Sequence, residues 1–318
     1  MDSSLILLLK KSAEEIRKSV IGKDDIIIKI LMTACAGGHI LLEDIPGVGK
    51  TTMAVAFSKA LGLEYNRMQF TADVMPADVT GFYIPNRATG EFEWKAGAVF
   101  CNLFLADEIN RTSSKTQSAL LEAMEEGAVT VDSVTRKLPE PFIVLATQNP
   151  TGSAGTQLLP ESQLDRFMIK LSMGYPTAGD EAKILKAKSS KRTAPVVRPI
   201  MTAEELIKLR SAAENIFVSD EIYDYIARLS AATRTDSRLE LGVSPRGSLA
   251  AAAMARCAAM FKGRNFVLPE DVGYVYADVC AHRVIPAKVK GRRPDDGEVH
   301  GLISNICRAV KAPSIANN

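Results

Sequence analysis

Short apolar runs alternate through the first half of the chain with longer stretches whose apolar residues recur every three or four positions. The runs are His39–Leu42, Tyr65–Phe70, Phe100–Ala106, Phe142–Ala146 and Met168–Leu171. Each has the length of a strand. Between the first two, Thr51–Leu61 places Met53, Ala54, Phe57, Ala60 and Leu61 at helical spacing and stops at Gly62. Such alternation predicts βαβ units and a mostly parallel sheet up to about residue 175. Val129–Leu138 instead alternates as a hairpin does. Pro195–Pro199, rich in proline and basic residues, marks a linker. From Thr202 onward the pattern is helical, with Ala-rich Leu249–Phe261 and no strong strand. The reading is two domains, residues 1–192 and 193–318.

Composition adds limits. The 318 residues suffice for two domains, and 47% hydrophobic with 24% charged residues is ordinary for a soluble protein. A net charge of +2 gives no bulk attraction to nucleic acid or membrane, so no nucleic-acid partner is expected. The N-terminus lacks a basic n-region, and the apolar run Leu5–Leu9 is too short for a signal or a membrane span. A cytoplasmic protein without direct membrane insertion is expected. Cys35, Cys101, Cys257, Cys280 and Cys307 never form CxxC, and His39, His282 and His300 are the only histidines, so no zinc site is expected. The first four of those cysteines lie in apolar surroundings and read as small buried hydrophobes.

Candidate chemistry begins where the first strand meets its helix. Pro46-Gly47-Val48-Gly49-Lys50-Thr51-Thr52 is a glycine-rich turn running into a helix start. Such a turn directs consecutive backbone N–H groups into one concavity, beside the partial positive charge of the helix N-terminus. Lys50 would reach the β- and γ-phosphates of a nucleoside triphosphate, and the Thr51 hydroxyl would take one position on Mg²⁺. The general pattern G-x-x-x-x-G-K-[ST] has glycine where this chain has Asp44.

Two later strands end in polar tips. Asn102–Glu108 is hydrophobic until Asp107 and Glu108, and ligands of parallel sheets sit at that C-terminal edge. Asp107 would hold Mg²⁺ through its water shell, leaving Glu108 to orient and polarise an attacking water. Phe142–Pro150 is apolar until Gln148 and Asn149, which places Asn149 beside the γ-phosphate and that water.

The segments Leu42–Thr51, Leu105–Arg111, Ala146–Pro150, Leu159–Phe167 and Gly242–Arg246 together resemble the MoxR group of AAA+ ATPases, over nearly the whole chain. Asp44 suits the MoxR-like variant of the loop. The resemblance implies an α/β fold: a P-loop core with a parallel five-stranded sheet sandwiched by helices, plus a smaller C-terminal all-helical lid. It makes Lys50 and Thr51 the Walker A pair, Asp107 and Glu108 the Walker B pair, and Asn149 sensor 1. Arg166 becomes an arginine finger reaching a neighbouring subunit's nucleotide, and Arg246 becomes sensor 2, a catalytic and nucleotide-contacting group in the lid. Val20-Ile21-Gly22 resembles the segment flanking the adenine. Met75–Trp94 resembles the insert that interrupts the second helix, and Val129–Leu138 the hairpin before sensor 1. Phe82, Phe92 and Trp94 either face a central pore or pack on their own domain.

The expected protein is therefore an ATP-hydrolysing, Mg²⁺-dependent motor of chaperone type that forms a homo-oligomer, a hexameric ring or a spiral. ATP would bind between core and lid. The resemblance suggests protein clients with metal centres and partners carrying von Willebrand factor A-type domains. The alternatives are a motor subunit of a metal chelatase or a DNA-remodelling complex, for which Lys183, Lys186, Lys188, Lys191, Arg192 and Arg198 form the candidate basic cluster, or a nucleotide-gated scaffold with little turnover.

Overall fold

The computed structural model describes residues 3–43, 47–149, 159–189, 196–288 and 291–314, so Asp44, Ile45, Pro46, Pro150, Lys191 and Arg192 lie outside it. Helices α1 (Ser3–Arg17) and α2 (Asp24–Cys35) lead into β1 (Ile40–Glu43), which hands over to α3 (Lys50–Ala60) and β2 (Tyr65–Gln69). A short helix α4 (Pro76–Thr80) and the hairpin β3 (Gly81–Pro85) and β4 (Phe92–Ala96) precede β5 (Leu103–Asp107). Then come α5 (Ser114–Glu126), the hairpin β6 (Ala128–Val131) and β7 (Val134–Lys137), β8 (Ile143–Gln148), α6 (Glu161–Leu164) and β9 (Ile169–Leu171). Five strands form one parallel sheet in the order β2-β5-β8-β1-β9.

The runs read as continuously apolar because the central strands are covered on both faces. Side chains alternate across the sheet. Ile40, Leu42, Leu103, Leu105, Ile143 and Leu145 pack with the apolar faces of α1, α2 and α3. Leu41, Phe104, Ala106, Val144 and Ala146 face the other way, against Leu120, Leu121 and Met124 of α5. Phe57 is almost wholly buried in the first layer, so Phe57→Ala would cost about 3–5 kcal/mol and loosen α3.

After α7 (Ala178–Ser189) the chain forms α8 (Ala203–Glu214), α9 (Asp220–Thr235), β10 (Leu239–Leu241), α10 (Pro245–Phe261), α11 (Pro269–Cys280), β11 (Ile285–Pro286) and α12 (Asp296–Ala309). Strands β10 and β11 pair antiparallel, each too short to stand out as an apolar run. Helix α10 buries Ala250, Ala251, Ala255, Ala258 and Ala259, small residues that let it lie close to its neighbours. One hydrophobic core runs from α1 and α2 through α10 into α11 and α12. Of the expected linker Pro195–Pro199, residues 196–199 are described, and they are held rather than loose: Val197 is buried, and the Arg198 N–H donates to Glu15 Oε1 at 3.1 Å. Cys35, Cys101, Cys257 and Cys280 are buried. Among the described residues no helix is long and apolar enough to cross a membrane.

The two hairpins dock on each other. The Arg136 guanidinium lies 4.1 Å from the centre of the Trp94 ring and donates to the Tyr83 hydroxyl at 2.5 Å. Trp94 also meets Tyr83 and Phe100 edge-on, at 5.4 and 5.9 Å. Trp94 therefore packs on its own domain, whereas Phe92, 71% exposed, points outward and Phe82 lies between these extremes.

Candidate functional site

Sheet order decides what meets at the C-terminal edge. β8 lies between β5 and β1, so Asn149 stands between the acids of β5 and the turn after β1, with neighbouring tips about 5 Å apart. In that turn Gly47 and Gly49 have φ of 87° and 97°. An L side chain rarely adopts such a backbone, and here a Cβ would meet no atom within 4 Å. Backbone geometry, together with an open approach from outside, explains the glycines. Gly49 caps α3, whose first residue is Lys50. Lys50 is buried, Thr51 is half-buried and Thr52 is exposed. Val48 packs against the same core cluster as Val20. Pro46 lies outside the described residues.

Val20, Ile21 and Gly22 connect α1 to α2 beside the exit of β9. The Lys23 ammonium donates to the carbonyls of Gly174 and Tyr175, at 3.2 and 3.1 Å, and to that of Met173. Gly22 has φ 73°, a backbone that L side chains rarely adopt, and a Cβ there would fall 2.4 Å from Asp180 Oδ2 of α7, so that carboxylate would have to swing away.

The acids are tightly held. Thr147 Oγ1 donates to Asp107 Oδ1 at 2.6 Å, and Arg67 Nη2 on β2 pairs with Asp107 Oδ2 at 2.8 Å. Glu108 follows with φ 58° and ψ 45°, a left-handed backbone that costs a non-glycine residue roughly 1–3 kcal/mol. Its N–H donates to Thr147 Oγ1 at 2.8 Å. Its carboxylate accepts from Asn149 Nδ2 at 3.0 Å through Oε1 and pairs with Arg111 at 3.1 Å through Oε2. Asn149 is itself fixed by Asn110, whose Nδ2 donates to the Asn149 carbonyl at 3.2 Å. Asn149 Oδ1 is a buried acceptor without a partner among the described residues.

Arg166 and Arg246 lie elsewhere. Arg166 precedes β9, whose neighbour Met168 donates its N–H to the His39 carbonyl at 2.9 Å, at the start of β1. That is the N-terminal edge, the length of a strand away from Lys50, about 10 Å or more. The Arg246 side of α10 reaches the same edge: Ser244 caps the helix, accepting from the Gly247 N–H at 3.2 Å. Arg166 and Arg246 share Glu125, at the end of α5, at 3.2 and 2.6 Å. Arg283, nearly buried, pins this corner by donating to Asp165 Oδ1 at 2.7 Å and to the Phe167 and Met168 carbonyls at 2.7 and 3.0 Å. A cavity of about 360 Å³ opens here, lined by Gly38, Glu125, Arg166, Arg246 and Leu249 among others. Within one chain, then, Arg246 sits at the opposite edge of the sheet from Lys50, and α10 is packed against α1 and α2 in the shared core.

His39 ties the edge together. A carbonyl only accepts, so His39 Nε2 donates to the Met124 carbonyl at 3.0 Å, while Nδ1 accepts the Val144 N–H at 3.0 Å. Burial pushes its pKa down to about 4. Burial also pushes Glu43, at the end of β1, up to about 7, despite Lys170 at 2.8 Å. In the basic run after β9, Lys183 pairs with Asp180 at 2.8 Å.

Sequence reasoning did not anticipate Thr147, Arg67, Glu125 or Arg283. Only Thr147 carried a local signal, a hydroxyl residue on an otherwise apolar strand two places before Asn149.

A parallel sheet with a glycine-rich turn into α3, two acids at the tip of the next strand but one and a helical lid defines a P-loop ATPase with an AAA+ arrangement. Residues 39–169 match the ATPase family associated with various cellular activities (AAA), and residues 231–300 match the AAA lid domain. The chain is 44% identical to the uncharacterized protein YeaC of Bacillus subtilis, over 96% of this chain and 95% of that one. It is 38% identical to Chaperone MoxR1 of Mycobacterium tuberculosis, over 87% of this chain and 75% of that one. A crystal structure from Cytophaga hutchinsonii, described as a candidate ATPase, superposes with TM-score 0.89 at 35% identity, covering 98% of this chain and 96% of that one. The chain belongs to the MoxR-type AAA+ ATPases, enzymes that bind and hydrolyse ATP.

Proposed function

We propose that this ATPase works as a head-to-tail oligomer in which each nucleotide is held by one subunit and completed by the next. The separation of Lys50, Asp107, Glu108 and Asn149 from Arg166 and Arg246, on opposite edges of one sheet, carries this reading. Two different surfaces must then meet, and such heterologous contacts close into a ring or open into a spiral. In each joint the Gly47–Thr52 turn and Lys50 bind the phosphates, with Val20–Gly22 beside the base. Glu108, aimed by Asn149, takes the proton of the attacking water, and the unpaired Asn149 Oδ1 is available to accept that water's other hydrogen. The neighbour's Arg166 and Arg246 offset charge on the leaving phosphates.

The hard oxygens of Thr51 and Asp107 fit Mg²⁺. Each Asp107 oxygen keeps a lone pair beyond its present partner, enough for the waters of a hydrated ion. Held by Thr51 and Asp107, the ion would supply charge stabilisation to the phosphates during hydrolysis.

The work done is remodelling of protein clients, a reading supported by the relative named as a chaperone and by the outward Phe92 on the β3–β4 hairpin. Clients with metal centres and partners with von Willebrand factor A-type domains are the classes suggested by the motif resemblance. They would be identified by what co-purifies with an ATP-loaded Glu108→Gln trap.

Subunit mixing tests the division of labour. Arg166→Ala and Glu108→Gln proteins should each be nearly inactive alone. Mixed, they should recover a fraction of the turnover, since some joints pair an intact Glu108 with an intact Arg166 from next door. Two inactive proteins that stay inactive together, while co-assembling, would return Arg166 to its own subunit's site.

A further inference from the structure

The Thr147 hydroxyl sits where the two catalytic strand tips touch, fully buried. It has one proton and two lone pairs. The proton goes to Asp107 Oδ1 at 2.6 Å, and a lone pair receives the Glu108 N–H at 2.8 Å. One side-chain atom of β8 thus binds the last residue of β5 and the residue after it, at the step where the backbone turns left-handed, with Glu108 at φ 58°. The main-chain ladder offers no substitute: in register, Thr147 stands beside Leu42 of β1, while the β5–β8 pairing ends at Ala106 and Ala146. Without the hydroxyl, the Glu108 N–H would lose its acceptor and Asp107 one of its two partners.

From this we infer that Thr147 is a positioning residue for ATP hydrolysis: its hydroxyl holds the Glu108 backbone in the turn that aims the carboxylate at Asn149 and the attacking water. The inference rests on the role proposed above for Glu108. Thr147 itself touches neither nucleotide nor water. Its contribution is to place Oε1 of Glu108 3.0 Å from Asn149 Nδ2, and displacement of a reacting group by about 1 Å is enough to cost on the order of 10²-fold in rate.

The test compares Thr147→Val, nearly the same shape without the hydroxyl, with Thr147→Ser, which keeps it. In the full-length protein, Thr147→Val should lower kcat about 10- to 100-fold. KM and the affinity for a fluorescent ATP analogue should stay within about threefold, and Thr147→Ser should restore most of kcat. Combined with Glu108→Gln, Thr147→Val should add almost no further loss, because both changes remove the same function. The thermal midpoint of each variant separates a folding defect from a positioning one, and Thr147→Ser reads the hydroxyl even if Thr147→Val proves unstable. A Thr147→Val enzyme with normal kcat, a Thr147→Ser enzyme as impaired as Thr147→Val, or a loss that multiplies with Glu108→Gln would overturn the inference. If Glu108→Gln itself keeps full turnover, the fault lies with the role given to Glu108, and Thr147→Val should then be silent.

Discussion

The two ends of the central sheet are built on opposite principles. At the C-terminal edge the polar groups are locked to one another: Thr147, Arg67 and Asn149 hold Asp107 and Glu108 from adjacent strands. At the N-terminal edge Arg283 and His39 are locked, but Arg166 and Arg246 are half-exposed and converge on Glu125, with Asp165 3.9 Å from Arg246. The first edge is organised before anything binds. The second presents two permanent positive charges on a firm base, lightly restrained, a state compatible with the role proposed for them across a subunit joint.

The comparison breaks most sharply at Arg166. Arg166→Ala should lower turnover about 10³-fold or more, roughly 4 kcal/mol of barrier, with nucleotide affinity of the isolated subunit unchanged. Isothermal titration beside a phosphate-release assay would show it, and lost affinity would place Arg166 on the wrong edge. Next comes Glu108→Gln, which should retain ATP and lose about 10²-fold in rate, the lower end of general-base contributions. A protein that hydrolyses normally without that carboxylate would mean the locked edge is a scaffold only.

The third expectation concerns the foundation beneath the arginines. Neutral His39 donates from Nε2 and accepts at Nδ1, so a proton on Nδ1 would displace the Val144 N–H. Because burial lowers its folded pKa to about 4, the unfolded chain binds the extra proton first. The stabilisation is complete above the unfolded value near 6.5 and is lost as pH falls toward 4. From pH 7 to pH 5 the His39 contribution to the change is about 2 kcal/mol, readable by urea unfolding as the difference between the unmodified protein and His39→Gln, since the shifted Glu43 and His282 are common to both. Equal losses in both proteins would remove His39 from the account. The smallest effect is expected at Glu125. Its pairs are partly exposed and worth up to about 1 kcal/mol each. Glu125→Gln should loosen both arginines, Arg246 keeping its approach to Asp165 at 3.9 Å, and lower the protein concentration for half-maximal ATPase activity by no more than about fivefold.

The locked edge was largely legible from sequence, because its parts are local. A turn needing left-handed glycines and two strands ending in polar residues leave their pattern within a few positions of the chain. The bonds that lock it were not legible: Arg67 and Asp107 are on different strands, and only the β2–β5 register brings them together. The edge of the arginines was legible in kind but not in place. Arg246 was expected in the lid, with its own and a neighbouring subunit's nucleotide both open to it. The small-residue face of α10 seats the lid on α1 and α2, and this long-range packing has no local signature. Likewise Phe82, Phe92 and Trp94 looked equivalent as aromatic residues on an insert. Contact with Arg136, more than forty positions away, decides that Trp94 turns inward.

That last contact gives the protein a built-in optical reporter. Trp94 is the chain's single tryptophan, and its indole is sandwiched where the two hairpins meet, under a guanidinium that perturbs the excited state. Its emission reports one location without labelling. Any sliding of one hairpin past the other during ATP hydrolysis would change its colour or lifetime, so the timing of such a movement is readable from the unmodified molecule.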